Sequence, residues 1–277
     1  MNERHVSFRP EREGRLAWWI GGGVVAVAIA ATYFYYTNKA PDVPAAEPVA
    51  TQPASPAPEA SAEASVLYPV PAQESTLALP ALAESDGAAL GAMAEIIGSD
   101  PANQLLVPDG IIQRIVVTID NLPLDRLAVE RRPVKSTPGS LVVEERGEVV
   151  TLSAANHSRY TPFINVVRAA DPAILSAAYF RFYPLFQQAY EEMGYDGKYF
   201  NDRMVEVIDH LLQTPDVQEP IRLVQPNVFY EFEDADLEAR SSGQKLLIRM
   251  GSENAGVIKQ KLRDLRAEIA RGAKDSK

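Results

Sequence analysis

Residues 177–212 read AAYFRFYPLFQQAYEEMGYDGKYFNDRMVEVIDHLL and hold the densest cluster of aromatic side chains in the chain. Glycines at positions 194 and 197 flank Tyr195 and Asp196, a pattern typical of a tight connection between two helices. The segment before them is apolar on nearly every face, which predicts a buried helix. We therefore predict that two helices, joined at Gly194–Gly197, form the core of one folded domain.

The first helix of this pair has a well-defined start and an internal proline. Asp171 offers a side-chain cap, and Pro172 lacks only an N–H that the first helical position does not need. Pro184 removes one helical hydrogen bond and crowds the carbonyl of Phe180. We therefore expect the helix to begin at Pro172 and to kink or break near Phe182–Tyr183.

The second helix, predicted at about residues 198–213, is amphipathic. Its inner face is apolar, and its outer face carries ionisable side chains at spacings of three and four. Those side chains are Asp202, Arg203, Glu206, Asp209 and His210. We predict an acidic outer face on this helix.

The composition argues against several chemistries. The chain has 277 residues, no cysteine, three histidines and a formal net charge of −10. Without cysteine there is no disulfide, no thiolate nucleophile and no cysteine-bound metal. The sequence has no glycine-rich phosphate loop, so we predict no cofactor. The negative charge argues against a nucleic-acid partner, because such partners are normally bound by basic surfaces.

Residues 16–36 form an apolar segment of 21 residues without a charged side chain. A helix of this length spans the ~30 Å hydrocarbon core of a bilayer. Trp18–Trp19 at one end and Tyr33–Tyr36 at the other match the aromatic belts of membrane interfaces. Four arginines lie within residues 1–15, which predicts a cytoplasmic N-terminal tail and an extracytoplasmic remainder.

A cleaved signal peptide is the alternative interpretation of this segment. Small residues around Ala28–Ala31 would then form the cleavage site. The apolar run, however, continues through four aromatic residues beyond that site. We therefore favour an uncleaved transmembrane helix that passes once through a membrane.

Residues 37–79 alternate proline with alanine, serine and glutamate, and Lys39 is their one basic residue. Such a segment buries too little apolar surface to offset the entropy of ordering it, so we predict a disordered stalk. Fully extended it reaches on the order of 130 Å, and as a flexible coil about 35–40 Å. The domain that follows is therefore predicted to act away from the membrane surface.

The folded domain is predicted over residues 80–272, with a disordered tail at 273–277. After Asp109 the apolar residues recur at helical spacing. The last helix, at about residues 253–271, has an a/d-like apolar face and a mixed, mostly basic outer face. We predict a mostly α fold in which this last helix docks on its own domain.

Strand signals in this domain are fewer. A minor β-hairpin is predicted around Arg146–Gly147 by two segments, Leu141–Glu145 and Glu148–Leu152. The segments IRLVQ and VFYEF flank Pro226–Asn227 and predict either a second strand pair or an extended wrap. Asp234 is then expected to cap a short helix that continues through residues 243–250.

The domain contains the motifs YPLFQQAYEEMGY, YFNDRMVEVIDHLL, PIRLVQPNVFYEF and SSGQKLLIRMG, with LLVPDG and TIDNLP upstream. In these motifs it resembles a family of bacterial membrane-anchored proteins, the domain of unknown function 3014. The resemblance extends to the anchor and the proline-rich stalk. Because the family has no assigned activity, the resemblance implies a place in the Gram-negative envelope and transfers no functional residue.

The predicted contact surface combines aromatic and charged residues of the central helices with two residues further along the chain. It consists of Tyr195, Tyr199, Asp202, Arg203, Glu206, His210, Arg222 and Tyr230. Its aromatic side chains suit a sugar- or peptide-binding groove. Such residues more often fill the corner between two helices, so the sequence leaves both a binding groove and a packed corner open.

Two chemical interpretations of the same helix have simpler alternatives. Glu206 and His210, with Asp202 or Asp209, have a spacing that suits a metal site. However, this helix has only one histidine and lacks the usual H-E-x-x-H arrangement, so a surface pair between Glu206 and His210 is the simpler interpretation. Asp202 and Glu206 also suit an acid–base pair for glycoside hydrolysis, which needs carboxylates on both sides of a scissile bond. Carboxylates one turn apart point the same way, so we assign no catalytic residue and no metal ligand.

The sequence thus predicts an inner-membrane protein whose periplasmic domain is an interaction or scaffold module for an envelope protein partner. The alternative is an envelope hydrolase that acts on peptidoglycan or another glycan through Asp202, Glu206 and His210. A ligand sensor is the third hypothesis, and it is the weakest, because fifteen cytoplasmic residues hold no output domain.

Overall fold

The computed structural model describes residues 66–71, 78–137 and 139–275, with side chains as far as Arg271. All of these belong to one compact unit within residues 61–277. No helix among them has both the length and the apolar character needed to cross a membrane. The predicted cytoplasmic tail, the predicted transmembrane helix at 16–36 and most of the predicted stalk lie outside the described residues.

The described part of the chain contains ten α-helices and four β-strands. The helices are α1 (Asp86–Ile97), α2 (Ser99–Leu105), α3 (Ile111–Asn121), α4 (Ala155–Arg159), α5 (Thr161–Ala169), α6 (Pro172–Glu191), α7 (Phe200–Leu212), α8 (Ala235–Glu238), α9 (Ser242–Arg249) and α10 (Ser252–Asp275). The strands are β1 (Val143–Arg146), β2 (Val149–Leu152), β3 (Arg222–Val224) and β4 (Glu231–Phe232). The mostly helical fold class is confirmed, and the sheet is larger than the predicted hairpin.

The central pair of helices, α6 and α7, is confirmed together with its connection. Gly194 and Gly197 have φ angles of 94° and 71°, which glycine adopts without steric cost. At the start of α6 the Asp171 carboxylate accepts the backbone N–H groups of Ala173 and Ile174. The predicted cap is therefore present.

A break near Phe182–Tyr183, one of the two outcomes predicted for Pro184, is wrong, because α6 continues from Pro172 to Glu191. Pro184 lies on the exposed side of the helix, while its neighbours Phe182, Leu185 and Phe186 are 4%, 5% and 7% exposed. A proline inside a helix costs about 3 kcal/mol. Burying each large apolar side chain contributes roughly 1.5–3 kcal/mol, so the three buried neighbours together outweigh the proline.

The aromatic cluster of the sequence is the centre of the largest hydrophobic core. α6 and α7 share this core with α1, α3 and α10. Phe200 is fully buried at the start of α7 and stacks on Phe186, with ring centroids 5.8 Å apart. Tyr190 stacks on Tyr195 with centroids 4.4 Å apart. Tyr195, an aromatic residue of the predicted contact surface, therefore packs into the corner between the two helices.

The strands form one antiparallel sheet in the order β1-β2-β3-β4. Arg146 pairs with Val149, so the first hairpin turns at Gly147–Glu148, one residue later than predicted. Gly147 has a φ of 64°, as a two-residue hairpin turn requires. β3 pairs with β4 and also with β2. The second strand pair is therefore present, and it joins the first in a single sheet.

The segment after the sheet contains two helices where one was predicted. Asp234 caps α8 as expected, by accepting backbone N–H groups of Asp236 and Leu237. Ser241 then has an extended backbone, and its hydroxyl accepts the N–H of Gln244. A second N-cap therefore starts α9 as a separate helix.

The last helix, α10, docks on its own domain as predicted. It contacts α5, α6, α7 and α9, and Ile269 on its inner face is fully buried. The predicted basic outer face is wrong for two of its side chains. Lys259 is 6% exposed and donates to the carbonyl oxygen of Thr214, and Arg266 pairs with Asp209. These charges tie α10 to α7 and to the residues that follow α7.

Candidate interaction surfaces

The structure distributes the eight predicted contact residues over three places. The connection before α7 and its first turns hold Tyr195, Tyr199, Asp202, Arg203 and Glu206. The last turn of α7 holds His210, and the second hairpin holds Arg222 and Tyr230. Each place has its own surroundings.

At the first place, Asp120 of α3 is the centre of a buried network. Its side chain is 7% exposed. The Tyr195 hydroxyl donates to one carboxylate oxygen at 2.9 Å, and Arg203 Nε donates to the other at 2.8 Å. Arg203 also donates to the carbonyl oxygen of Asp120 and pairs with Glu206, both at 2.9 Å. We call Asp120, Tyr195 and Arg203 the α3–α7 junction, and two of its members are predicted contact residues that hold helices together.

The contacts of this junction also set the protonation of its side chains. The hydrogen bond to Asp120 raises the pKa of Tyr195, because an ionised phenol would place two negative charges side by side. Burial, with a further contribution from Asp120, raises the pKa of Tyr190 to about 12. Burial alone would lower the pKa of Arg203, but Glu206 and Asp120 raise it overall. These groups keep one protonation state near neutral pH, as structural residues do.

Two of the predicted residues at this place are less enclosed. Tyr199 is half-buried immediately before α7. The Glu206 side chain is 67% exposed, and its ion pair with Arg203 faces solvent. The Arg203 side chain is 18% exposed, so Glu206 lies at the solvent edge of the junction.

The remaining carboxylates of α7 bind other parts of the chain. Asp202 accepts the backbone N–H groups of Leu67 and Tyr68 at 3.1 and 2.8 Å. Asp209 accepts two hydrogen bonds from the Arg266 guanidinium, at 2.5 and 2.8 Å, and this pairing raises the pKa of Arg266. The predicted acidic outer face of α7 is therefore, at these positions, a row of contacts to neighbouring segments.

At the end of α7, His210 lines an open polar cavity of about 530 Å³. The other lining residues are Pro123, Asp125, Asp236, Ala239, Arg240, Ser241 and Gln244. His210 Nε2 lies 2.8 Å from the Ser241 hydroxyl, within the reach of a base that activates a nucleophile. The same hydroxyl caps α9, so the pair has a structural role that explains its geometry.

The described residues do not bring together a metal-binding set. They contain no group of three or more aspartate, glutamate or histidine side chains that could hold an ion. Asp202 binds backbone amides, Glu206 pairs with Arg203, and His210 contacts Ser241. The three groups therefore have three different partners and share no centre at which a reacting atom would sit.

The second hairpin carries the most exposed large apolar side chains among the described residues. Val228 and Phe229, in its loop, are 78% and 80% exposed; we call them the hairpin tip. Arg222 pairs with Glu233 at 3.5 Å on the solvent face, and the Tyr230 carbonyl accepts a hydrogen bond from Arg249. Neither of the other two places has an exposed apolar surface of this kind.

Sequence reasoning included Arg222 and Tyr230 in the contact surface and passed over the hairpin tip. A signal was present, because Val228 and Phe229 directly follow Pro226–Asn227. Proline and asparagine mark turns. Because a short turn projects from the domain, an apolar side chain on it has no core to pack against.

The fold is that of a helical domain with a small antiparallel sheet, built around the central helix pair and the α3–α7 junction. The chain belongs to the family described as protein of unknown function (DUF3014), whose model matches residues 111–266, more than half of the sequence. The match runs from α3 into α10 and includes the junction, the sheet and the hairpin tip, and it confirms the resemblance seen in the motifs. No curated protein and no solved structure matches the chain.

Proposed function

We propose that the protein is an interaction module of the bacterial envelope and that its head, residues 80–272, binds an envelope protein through the hairpin tip. The supporting observation is the exposure of Val228 and Phe229 on one short loop. Burying each side chain against a partner contributes roughly 1.5–3 kcal/mol. Protein interfaces usually concentrate their binding energy in a few central residues.

The surroundings of the tip also suit an interface. Val149 and Val224 are 40% and 39% exposed, and they lie on the neighbouring strands β2 and β3 at the end of the sheet from which the loop leaves. The charged pair of Arg222 and Glu233 lies on the same hairpin. An apolar centre with a polar rim is the common anatomy of a protein–protein contact. Arg222 and Tyr230 are thus the predicted contact residues that this proposal keeps.

The same proposal includes a location. It gives the protein a single transmembrane helix at residues 16–36, a cytoplasmic tail at 1–15 and a periplasmic head at the end of a stalk. The length of the apolar segment, its aromatic ends and the arginines before it support this arrangement. Protease treatment of spheroplasts tests it, because a periplasmic head is digested without breaking the inner membrane.

The binding surface is tested by photocrosslinking in cells. A photoreactive residue at position 228 or 229 is expected to capture one dominant envelope protein. The matched control is position 174, because Ile174 is an apolar residue 57% exposed at the start of α6. Capture of the same protein with equal yield from position 174 would contradict a specific role of the tip.

A variant then measures the contribution of the tip to binding. The purified full-length V228S/F229S protein is expected to lose the captured partner in a pull-down, while I174S keeps it. The serine changes remove apolar area that is already exposed, so both variants are expected to fold. Undiminished binding by V228S/F229S would show that the partner is held elsewhere.

The envelope hydrolase stays an alternative prediction. Its three residues, Asp202, Glu206 and His210, contact three different neighbours, so no observation on the described residues favours it over the interaction module.

A further inference from the structure

Residues 66–71 read VLYPVP and bind to the head at a helix more than 130 positions further along the chain. Both oxygens of the Asp202 carboxylate are used, one for the N–H of Leu67 and one for the N–H of Tyr68. The side-chain amide of Asn201 donates to the Tyr68 carbonyl at 2.8 Å. Three hydrogen bonds therefore recognise the backbone of this segment rather than its side chains.

The polar groups that make these bonds are held in place by the core. Asn201 is fully buried, and its amide oxygen accepts the Tyr179 hydroxyl at 2.9 Å. This bond fixes the amide so that its nitrogen points to the Tyr68 carbonyl. A buried donor left without an acceptor costs roughly 1–3 kcal/mol. The core therefore orients a group whose hydrogen bond is completed by an incoming backbone.

Two side chains of the segment are also recognised. Tyr68 and Val70 pack against the largest core, and Tyr68 interacts with the Arg266 guanidinium that Asp209 orients. Leu67, in contrast, is 71% exposed. The backbone bends at Leu67 and Tyr68, which lets two consecutive N–H groups reach one carboxylate while Tyr68 and Val70 turn towards the core.

The prolines of the segment prepare it for such binding. Pro69 and Pro71 fix their own φ angles and favour the extended conformation before contact is made. A ligand that is already extended loses less conformational entropy when it binds. The alternation of prolines with Tyr68 and Val70 therefore combines low ordering cost with two packing side chains.

We propose that Asn201 and Asp202 of α7 with Arg266 of α10, called here the α7–α10 clamp, form a binding site for a short peptide of the pattern Tyr-Pro-Val. Residues 66–71 of the same chain are its resident ligand. The clamp thus binds part of the predicted stalk, residues 37–79, to the head. A second peptide of the same pattern exchanges with the resident segment, because only noncovalent contacts hold it. This inference uses none of the residues of the hairpin tip.

Hydrogen exchange on the full-length protein in detergent tests the resident ligand. The amides of Leu67 and Tyr68 are expected to exchange about tenfold more slowly in the wild type than in D202N, because charge-assisted hydrogen bonds protect them. D264N is the matched control, since Asp264 is a helical aspartate whose carboxylate accepts from Gln260 on the same helix. Y68A tests the segment without changing the head and is expected to show the same loss of protection.

Competition tests the peptide pattern. A synthetic, isotope-labelled ASVLYPVPAQ, residues 64–73, is added at several times the ~mM effective concentration of a tethered segment. It is expected to speed exchange of residues 66–71 in the full-length chain, whereas ASVLAPVPAQ leaves it unchanged. Equal exchange in wild type and D202N, or equal displacement by both peptides, overturns the proposal. Protection that rises with protein concentration also overturns it, because the segment would then come from a second copy.

Discussion

The α3–α7 junction contains two residues of the predicted contact surface, and the hairpin tip lies between two others. The side chains of the junction are buried or partly buried, whereas those of the tip are exposed. At the junction, Asp120 takes the hydrogen bonds of Tyr195 and Arg203, and all three point into the fold. At the tip, Val228 and Phe229 point into solvent. Charged and aromatic residues can therefore look functional in a sequence and be structural, while two plain apolar residues remain available to a partner.

Replacing Asp120 should give the largest effect and tests the structural role of the junction. D120A leaves Arg203 and the Tyr195 hydroxyl without their buried partner. We therefore expect the free energy of unfolding to fall by roughly 3 kcal/mol. Urea unfolding of the full-length protein measures this. The exposed Asp125 supplies the control, and D125N should change the free energy of unfolding by less than about 0.5 kcal/mol. Similar values for the two variants would contradict the structural role of the junction.

Removing one hydroxyl should give a smaller effect at the same place. Y195F keeps the ring that stacks on Tyr190 and deletes the hydrogen bond to Asp120. We expect a loss of about 1 kcal/mol, because Asp120 still has Arg203. A double-mutant cycle with D120N measures the coupling. Additive effects of the two changes would show that the hydroxyl and the carboxylate act independently.

High pH tests how well the aromatic core encloses its tyrosines. Burial raises the pKa of Tyr183 from 10.0 to about 12, while Asp202 adds to the shift and a hydrogen bond from the Asn201 backbone opposes it. A raised pKa in the folded state gives stability that is present below pH 10 and is lost as the pH rises towards 12. The free energy of unfolding should therefore fall more steeply over this interval in the wild type than in Y183F. Parallel curves would indicate that Tyr183 ionises equally in both states.

The smallest effect on stability is expected at the hairpin tip. V228S/F229S removes side chains that are 78% and 80% exposed. The free energy of unfolding should therefore change by no more than about 0.5 kcal/mol. A loss above 2 kcal/mol would mean that the tip packs against the domain in solution. Together with the pull-down, this result separates a binding residue from a folding residue.

Local rules predicted the elements of this fold whose causes are local. Asp171 caps the helix that it precedes, and Gly194 and Gly197 shape the connection around them. Asp86 shows the limit of such rules. It is the first residue of its own helix, α1, yet its carboxylate accepts the N–H groups of Gly110 and Ile111 and so caps α3, which begins 25 positions later.

The α3–α7 junction could not be predicted from the sequence, because its contacts join distant parts of the chain. The partners of Asp120 are 75 and 83 positions away, so no spacing rule connects them. The single sheet depends likewise on the pairing of β2 with β3, which are separated by 69 residues in the sequence. The position of Pro184 in an unbroken helix depends on burial of its neighbours, which only the packed domain supplies. Element types were thus predictable, whereas their mutual contacts required the structure.

The contact between residues 66–71 and α7 has a mechanical consequence. Tension applied to the chain from residue 65 towards its N-terminus reaches the head first at Asn201 and Asp202, in the opening turn of a core helix. Residues 78–97, with α1, stay unstretched until those hydrogen bonds rupture. The pulling point therefore lies on a helix of the largest hydrophobic core, and α1 is shielded from the force.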